Sequence, residues 1–278
     1  MVRRLPARAV APEAPPPGEK PDFPWWLVAA GLAGAALFAA FLTDEIYASI
    51  LATLSRGIAV TVFVTLVAFA LATGLGLLLA VCVLSASLIL RQAARLYIEV
   101  MRGVPILVLL LYIAFVGAPA LVASWNALVV PLGLEPAATR DLSLIWRAIL
   151  ALALGYAAFV AEVFRAGIQA VDKGQVEAAK ALGLSPWQRF RLVVFPQAIR
   201  TILPPLGNDF VAMVKDSSLV SVLGVADITQ LGKVYAAGSF RFFETYNVVA
   251  FLYLVMTVGL SLLLRRLERY LRSRTPHL

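Results

Sequence analysis

Six stretches of the chain are apolar enough to be interpreted as membrane-spanning helices. They cover residues 25–42, 57–84, 104–122, 142–164, 203–226 and 247–264. An α-helix rises 1.5 Å per residue, so about 18 residues reach about 27 Å, close to the roughly 30 Å hydrocarbon core of a bilayer. The pattern therefore predicts an all-α, polytopic membrane protein with about six transmembrane helices.

The segments between these stretches predict the rest of the organisation. Residues 1–24 carry many prolines and few large apolar residues, which predicts a disordered tail. The stretch 25–42 is long for a signal peptide and lacks a clear small-x-small cleavage site before Thr43, so a retained helix is favoured over a cleaved one. Residues 43–56 then predict a polar link, residues 123–141 a long loop, and residues 272–278 a short C-terminal tail.

A polar hairpin at residues 165–200 separates the fourth and fifth apolar stretches. Residues 176–182 are good helix formers, and Gly183 follows them where a left-handed C-cap residue ends a helix. Ser185 then predicts an N-cap and Pro186 the first residue of a second helix. These local signals predict two short helices joined at a glycine, and taken alone they also fit an ordinary cytoplasmic loop.

Composition and charge support a membrane protein and indicate its orientation. The chain is 61% hydrophobic and 14% charged, with a mean hydropathy of +0.87, far more apolar than a typical soluble domain. Its net charge of +8 does not indicate a nucleic-acid partner, because basic residues in membrane proteins usually record topology. Most of the lysines and arginines lie in both tails, in residues 85–103 and in the hairpin, which predicts that all four are cytoplasmic.

The sequence lacks the residues that several kinds of catalytic and metal sites require. Cys82 is the sole cysteine and His277 the sole histidine, which excludes a Cys/His nucleophile pair and a histidine-based metal site within this sequence. No GxxxxGK[ST] phosphate-binding loop is present. We therefore expect no catalytic residues, no metal and no cofactor on this chain, and ATP with its Mg²⁺ would have to bind to another polypeptide.

Polar side chains inside apolar stretches are functional candidates, because ionisable groups in hydrocarbon are costly unless they are paired or hydrated. The candidates in the fifth stretch are Asn208, Asp209, Lys215, Asp216, Ser217 and Ser218. Asp209 and Asp216 are two helical turns apart and share a face, and Lys215 lies near mid-membrane. They predict either a route for a zwitterionic solute or an internal ion pair between Lys215 and one aspartate.

Two oppositely charged pairs repeat one spacing at the ends of two stretches. Glu99 precedes Arg102 by three residues, and Glu162 precedes Arg165 by three. Such pairs are usually local salt bridges worth a few tenths of a kcal/mol. The alternative is a gate network that rearranges during transport.

The hairpin resembles a known family motif. Glu177-Ala178-Ala179, three residues, Gly183, nine residues and then Val193-x-Phe195-Pro196 is similar to the EAA loop of the membrane subunits of ABC importers. Residues 97–105, 161–171 and 203–219 resemble the branch of these permeases that carries polar amino acids such as histidine, glutamine and arginine. The chain departs from that pattern at Val193 and Phe195, in the absence of a glutamine from residue 106 to residue 111, and in its extra N-terminal helix.

The resemblance implies a permease subunit that imports a polar amino acid by alternating access, with residues 57–271 as the transmembrane domain and 25–56 as an added helix and periplasmic link. It implies an inner-membrane protein whose partners are two ABC ATPase subunits, an amino-acid-binding protein that is periplasmic or lipid-anchored, a second permease and membrane lipids. The family assigns the docking of the ATPase to the hairpin, here Glu177, Ala178, Ala179, Leu182 and Gly183.

Two other classes compete with this interpretation. A stand-alone secondary transporter fits the charged residues at mid-membrane but leaves the hairpin without a role. An intramembrane aspartyl protease would need two facing carboxylates, for which Asp209 and Asp216 are the candidates. Transport by the purified chain alone would favour the first class, and peptide cleavage the second.

Overall fold

Helices account for nearly all of the structure. The computed structural model describes residues 25–273, and within them we number the α-helices in chain order. The helices are α1 (Trp25–Thr43), α2 (Glu45–Leu84), α3 (Leu88–Gly103), α4 (Ile106–Tyr112), α5 (Ala118–Val129), α6 (Leu144–Gln169), α7 (Lys173–Ala181), α8 (Pro186–Arg189), α9 (Phe195–Asp216), α10 (Ile228–Ser239) and α11 (Phe242–Ser273). Two π-helical segments (Ile113–Gly117 and Phe190–Val194) and three 3₁₀ segments (Val130–Leu132, Thr139–Asp141 and Ser217–Leu223) connect some of them. The all-α prediction is confirmed, and the predicted tail at residues 1–24 lies outside the described residues.

Helix α6 is the centre of the bundle. It packs against α2, α3, α4 and α9, and Ala148, Ile149 and Leu152 on it are fully buried. Alanine and glycine at the contact positions allow the helices to approach closely, as is typical of packing in membranes. The central position of α6 fixes the places of the other helices that build the site.

The predicted polar link at residues 43–56 is wrong, because most of it is the beginning of α2. Asp44 caps this helix, and its carboxylate accepts hydrogen bonds from the backbone N–H groups of Ile46 (2.9 Å) and Tyr47 (3.1 Å). Ile50 and Leu54 are fully buried against α10 and α11. The polar residues of this segment therefore lie on one side of a helix whose other side is packed.

Two further boundaries differ from the sequence-based prediction. The predicted loop at 123–141 is shorter, because α5 continues to Val129 and a 3₁₀ turn to Leu132. The predicted fifth span is not one α-helix, since α9 ends at Asp216 and a 3₁₀ segment runs on to Leu223 before left-handed Gly224. Within the described residues, four helical stretches are long and apolar enough to span a membrane: Glu45–Leu84, Ile106–Leu132, Leu144–Gln169 and Phe242–Arg269.

The hairpin forms as its local signals predict. Helix α7 begins three residues earlier than expected, capped by Asp172, and Gly183 after it has a φ of 76°, in the left-handed region that favours glycine. The Ser185 hydroxyl accepts a hydrogen bond from the Gln188 N–H, and the Gln188 side chain accepts one from the Ser185 N–H. This capping box starts α8 at Pro186.

Candidate functional site

An open cavity of about 520 Å³ lies between the end of α3, the start of α4, and helices α6 and α9. Its polar lining comes from Arg102 on α3, Tyr156 on α6, and Asp209 and Asp216 on α9. Its other lining residues are apolar or glycine. The cavity therefore offers two carboxylates, one guanidinium and one phenol in otherwise apolar surroundings.

The two carboxylates differ in their hydrogen bonding. The Tyr156 hydroxyl donates to the Asp216 Oδ2 atom at 2.7 Å, which holds this side chain in place. The Oδ2 atom of Asp209 is buried and has no hydrogen-bond partner among the described residues. A buried acceptor without a donor is costly, so Asp209 is the group in this cavity most in need of a positively charged ligand.

Helix α9 continues directly into the 3₁₀ segment Ser217–Leu223. Asp216 is the last residue of α9, and the helical path ends seven residues later, before left-handed Gly224. Ser217 is fully buried and satisfies one of the last carbonyl groups, since its hydroxyl donates to the Val214 oxygen at 2.7 Å. The change from α to 3₁₀ geometry thus lies directly after Asp216.

Arg102 lies at the opposite wall of the cavity and does not pair with Glu99. Its guanidinium carbon is 5.6 Å from the centroid of the Phe159 ring, a cation–π geometry. No salt bridge between Arg102 and Glu99 is present in residues 25–273, so a local salt bridge between them is wrong. Arg102 contacts Phe159 of α6 in place of Glu99, because the Phe159 ring lies on the side of α3 from which Arg102 extends.

The second predicted pair does form. Arg165 donates from its Nε atom to Glu162 at 3.0 Å and from its Nη1 atom to the Gln169 side chain at 2.6 Å. Both charged side chains are about one third exposed, and the pair lies on the last turns of α6, just before the hairpin. It is a local interaction in this structure.

The six candidate residues of the fifth stretch do not share one route. Asp209 and Asp216 face the cavity, whereas Lys215 lies in a separate groove of about 160 Å³ between α9 and α11, beside Thr257 and Ser261. Asn208 is exposed, Ser218 half-buried and Ser217 fully buried. The predicted ion pair between Lys215 and an aspartate is absent from the described residues.

The hairpin surface also differs in part from the expectation. Ala178 and Glu177 are exposed, but Ala179 is buried inside the hairpin, so it does not offer its small side chain to another protein. Leu182 is 81% exposed and Trp187 67% exposed. Large apolar side chains exposed at the tip of a polar hairpin indicate a contact surface.

The hairpin is continuous with the wall of the cavity. Helix α8, the π-helical segment and α9 form an unbroken helical path from Pro186 to Asp216, about 46 Å long at 1.5 Å per residue. The first helix of the hairpin is attached to this path, since Gln197 donates to the Gln175 side chain at 2.5 Å. The hairpin thus lies on the same continuous helical path as Asp209 and Asp216.

Sequence reasoning missed Tyr156 and Phe159 as cavity residues. Both are aromatic residues in an apolar stretch, where packing is the usual role. A phenol hydroxyl in such a stretch does need a partner, and this signal could have pointed to Tyr156. No group of three or more histidine, cysteine, aspartate or glutamate side chains that could hold a metal is present in residues 25–273.

Comparisons with known proteins agree with the fold and the motifs. A family model described as the binding-protein-dependent transport system inner membrane component matches residues 72–276. The chain is 36% identical over 225 residues to the probable amino-acid permease protein YxeN of Bacillus subtilis (strain 168), covering 81% of this chain and 94% of that protein. It is also 36% identical over 219 residues to the glutamine transport system permease protein GlnP of Escherichia coli (strain K12), covering 79% and 93%.

A solved structure supports the same assignment. The crystal structure of an amino acid ABC transporter with histidines is 37% identical to this chain, with a TM-score of 0.67, and the match covers 83% of this chain and 98% of that one. The family does not favour a stand-alone secondary transporter. This chain therefore belongs to the family of inner membrane components of binding-protein-dependent transport systems, and it is a multi-pass permease subunit of an ATP-driven importer.

Proposed function

We propose that this permease carries a polar amino acid or a close analogue, and that its cavity binds the solute during transport. The observation that carries the proposal is the pairing of Asp209 and Asp216 on one wall with Arg102 on another. The carboxylates suit an ammonium group and the guanidinium suits a carboxylate. The relatives of this chain, which include a probable amino-acid permease and a glutamine permease, support the same substrate class.

Tyr156 positions one of these groups. Its hydrogen bond fixes Asp216, whereas Asp209 keeps an unpartnered oxygen. In this mechanism the ammonium of the solute binds Asp209 first and shares Asp216 with Tyr156. The apolar remainder of the lining lowers the local dielectric and so strengthens both charge interactions.

Energy for transport comes from a separate ATPase that docks on the hairpin. Leu182 and Trp187 provide the exposed apolar contacts, and Glu177 and Ala178 the rim. Nucleotide-driven movement of the hairpin is transmitted through α8 and α9 to the cavity, which opens alternately to either side of the membrane. We further propose two ATPase copies, a second permease, an amino-acid-binding protein on the outer side, and cytoplasmic termini.

The test is uptake by the complex of this chain with its ATPase and binding protein in proteoliposomes, with a panel of labelled amino acids. Asp209→Asn should raise KM for the transported amino acid by about 10-fold or more, since a charge-assisted hydrogen bond is worth about 1.5–3 kcal/mol. Tyr156→Phe keeps the ring and removes one hydrogen bond, so its effect should be smaller. Unchanged KM in Asp209→Asn would refute the role of the cavity.

A second variant tests the docking of the ATPase. Leu182→Asp replaces a side chain that is 81% exposed, so it should fold normally. It should reduce copurification of the ATPase and stop uptake. Leu134→Asp, which changes a side chain that is 58% exposed, away from the hairpin and outside the four apolar spans, is the matched control and should leave copurification unchanged. Equal copurification in both variants would contradict the docking role.

A further inference from the structure

Helix α3 has three distinct faces. One face packs against α2 and α6 through buried Ala94 and Ile98, and the Tyr97 hydroxyl, which donates to the Leu154 carbonyl oxygen on α6 at 2.8 Å, fixes its rotation. The other two faces are exposed. One of these is apolar, with Ile89, Leu96 and Val100, and the other, which we call the polar stripe, consists of Gln92, Arg95, Glu99 and Arg102.

One end of the polar stripe lies at the cavity. Arg102 is among the residues that line it, and Glu99 and Arg95 follow at helical spacings of three and four residues, which place them on the same side of α3. From Arg102 to Arg95 the stripe extends about 10 Å along the helix at 1.5 Å per residue. It leads from the cavity towards the end of α3 that joins α2.

Within the described helices, the charged side chains of the polar stripe form no salt bridges with one another. Oppositely charged side chains at these spacings commonly pair on a helix surface. In the described part of the chain, however, neither Arg95 nor Arg102 forms a salt bridge with Glu99. Arg95 and Glu99 are exposed, and the exposed Arg102 contacts the Phe159 ring, so all three charges remain accessible to water and to a polar solute.

We infer that the polar stripe is the wall of the route by which the solute moves between the cavity and the cytoplasmic side. Arg102 and Arg95 bind the carboxylate of a zwitterionic solute in turn, and Glu99 between them binds its ammonium group. Alternating charges give several weak sites in series, so no single step holds the solute tightly. The inference rests on the proposed function for the identity of the solute, and on the geometry of α3 for the location of the route.

The exposed apolar face of α3, which we call the apolar stripe, provides a matched control for the experiment. In a Cys82→Ser background, single cysteines are placed at Arg95 and Glu99 in the polar stripe and at Leu96 and Val100 in the apolar stripe. The complete complex in proteoliposomes is treated with a small, charged, water-soluble methanethiosulfonate reagent. The cysteines at positions 95 and 99 should react at least several-fold faster than those at 96 and 100, and the transported amino acid should slow their reaction.

Equal reaction rates in the two stripes would overturn the inference, and so would burial of positions 95 and 99 under a second subunit, seen as no reaction at all. Fast reaction that the transported amino acid does not slow would overturn the contact with the solute. If Arg95→Cys fails to assemble, Gln92→Cys tests the same stripe one turn away. Failure of the proposed function gives a different result, namely no amino-acid uptake by the parent complex. The difference in reaction rate between the two stripes is measured independently of uptake.

Discussion

Gly167 lies where α6 crosses α9 next to the hairpin, and substituting alanine there tests how closely these two helices pack. A Cβ atom added at Gly167 would lie 2.2 Å from Cγ1 and 3.0 Å from Cδ1 of Ile202. Carbon atoms in contact are normally about 3.5–4.0 Å apart, so α6 and α9 would have to separate by more than 1 Å. Ile202 cannot rotate away easily, because it is 3% exposed and β-branched side chains have one favoured rotamer in helices.

The magnitude follows from two opposing terms. Overpacking of this kind costs about 1–3 kcal/mol, and replacing a helical glycine by alanine returns about 0.5–1 kcal/mol. The net destabilisation of Gly167→Ala should be about 1–2 kcal/mol, which corresponds to a fall in Tm of about 2–8 °C for a chain of this size. Thermal unfolding of the detergent-purified protein, followed by size-exclusion chromatography, measures it.

Two controls make the prediction specific. Gly74→Ala, also inside a long helix, meets no atom within 4 Å, so its Tm should stay level or rise. Ile202→Ala removes the clashing atoms, and the double variant with Gly167→Ala should be less destabilised than the sum of the single variants by about 1–2 kcal/mol. An unchanged Tm in Gly167→Ala, or strict additivity in the double variant, would refute the reasoning.

Three further substitutions probe other parts of the fold. Arg147→Met should lower the free energy of unfolding by about 3 kcal/mol or more, measured through Tm. The reason is that the buried guanidinium donates to three backbone carbonyl oxygens, those of Leu142, Ala114 and Thr139. A change below about 1 kcal/mol would contradict the importance of these hydrogen bonds. Asp227→Ala removes the N-cap of α10, whose side chain accepts from the Gln230 N–H, and should cost about 1–2 kcal/mol, whereas an unaltered Tm would show that the cap is dispensable. Ser185→Ala should cost about 1 kcal/mol locally, seen as faster hydrogen exchange in α8, and exchange at the parent rate would contradict it.

The hairpin could be predicted from sequence because its signals are local. Gly183, Ser185 and Pro186 each favour one backbone position regardless of what packs around them. The same holds for the apolar stretches 57–84 and 247–264, each of which lies within a single helix, and for 142–164, which lies in α6 except for its first two residues. Local chemistry and hydrophobic length were sufficient there.

The cavity could not be predicted because it depends on tertiary contacts. The pairing of Glu99 with Arg102 failed because Phe159 from α6 lies beside the arginine, and nothing near residue 102 in the sequence indicates that contact. Lys215 and Asp216 are adjacent in sequence yet face different grooves, so the fifth stretch contributes two faces rather than one. Asp44 likewise could not be identified as a helix cap from the sequence. The segment after it looks polar, and its helix is recognised only once Ile50 and Leu54 are seen to be buried.

The central claim is that an ATPase acting on the hairpin drives solute through this chain. The most direct measurement is uptake of a labelled amino acid into proteoliposomes that contain the permease with or without its ATPase, in the presence of binding protein and ATP. We expect uptake only when the ATPase is present and ATP is hydrolysed. Uptake by the permease alone, driven by an ion gradient and unaffected by ATP, would contradict the claim.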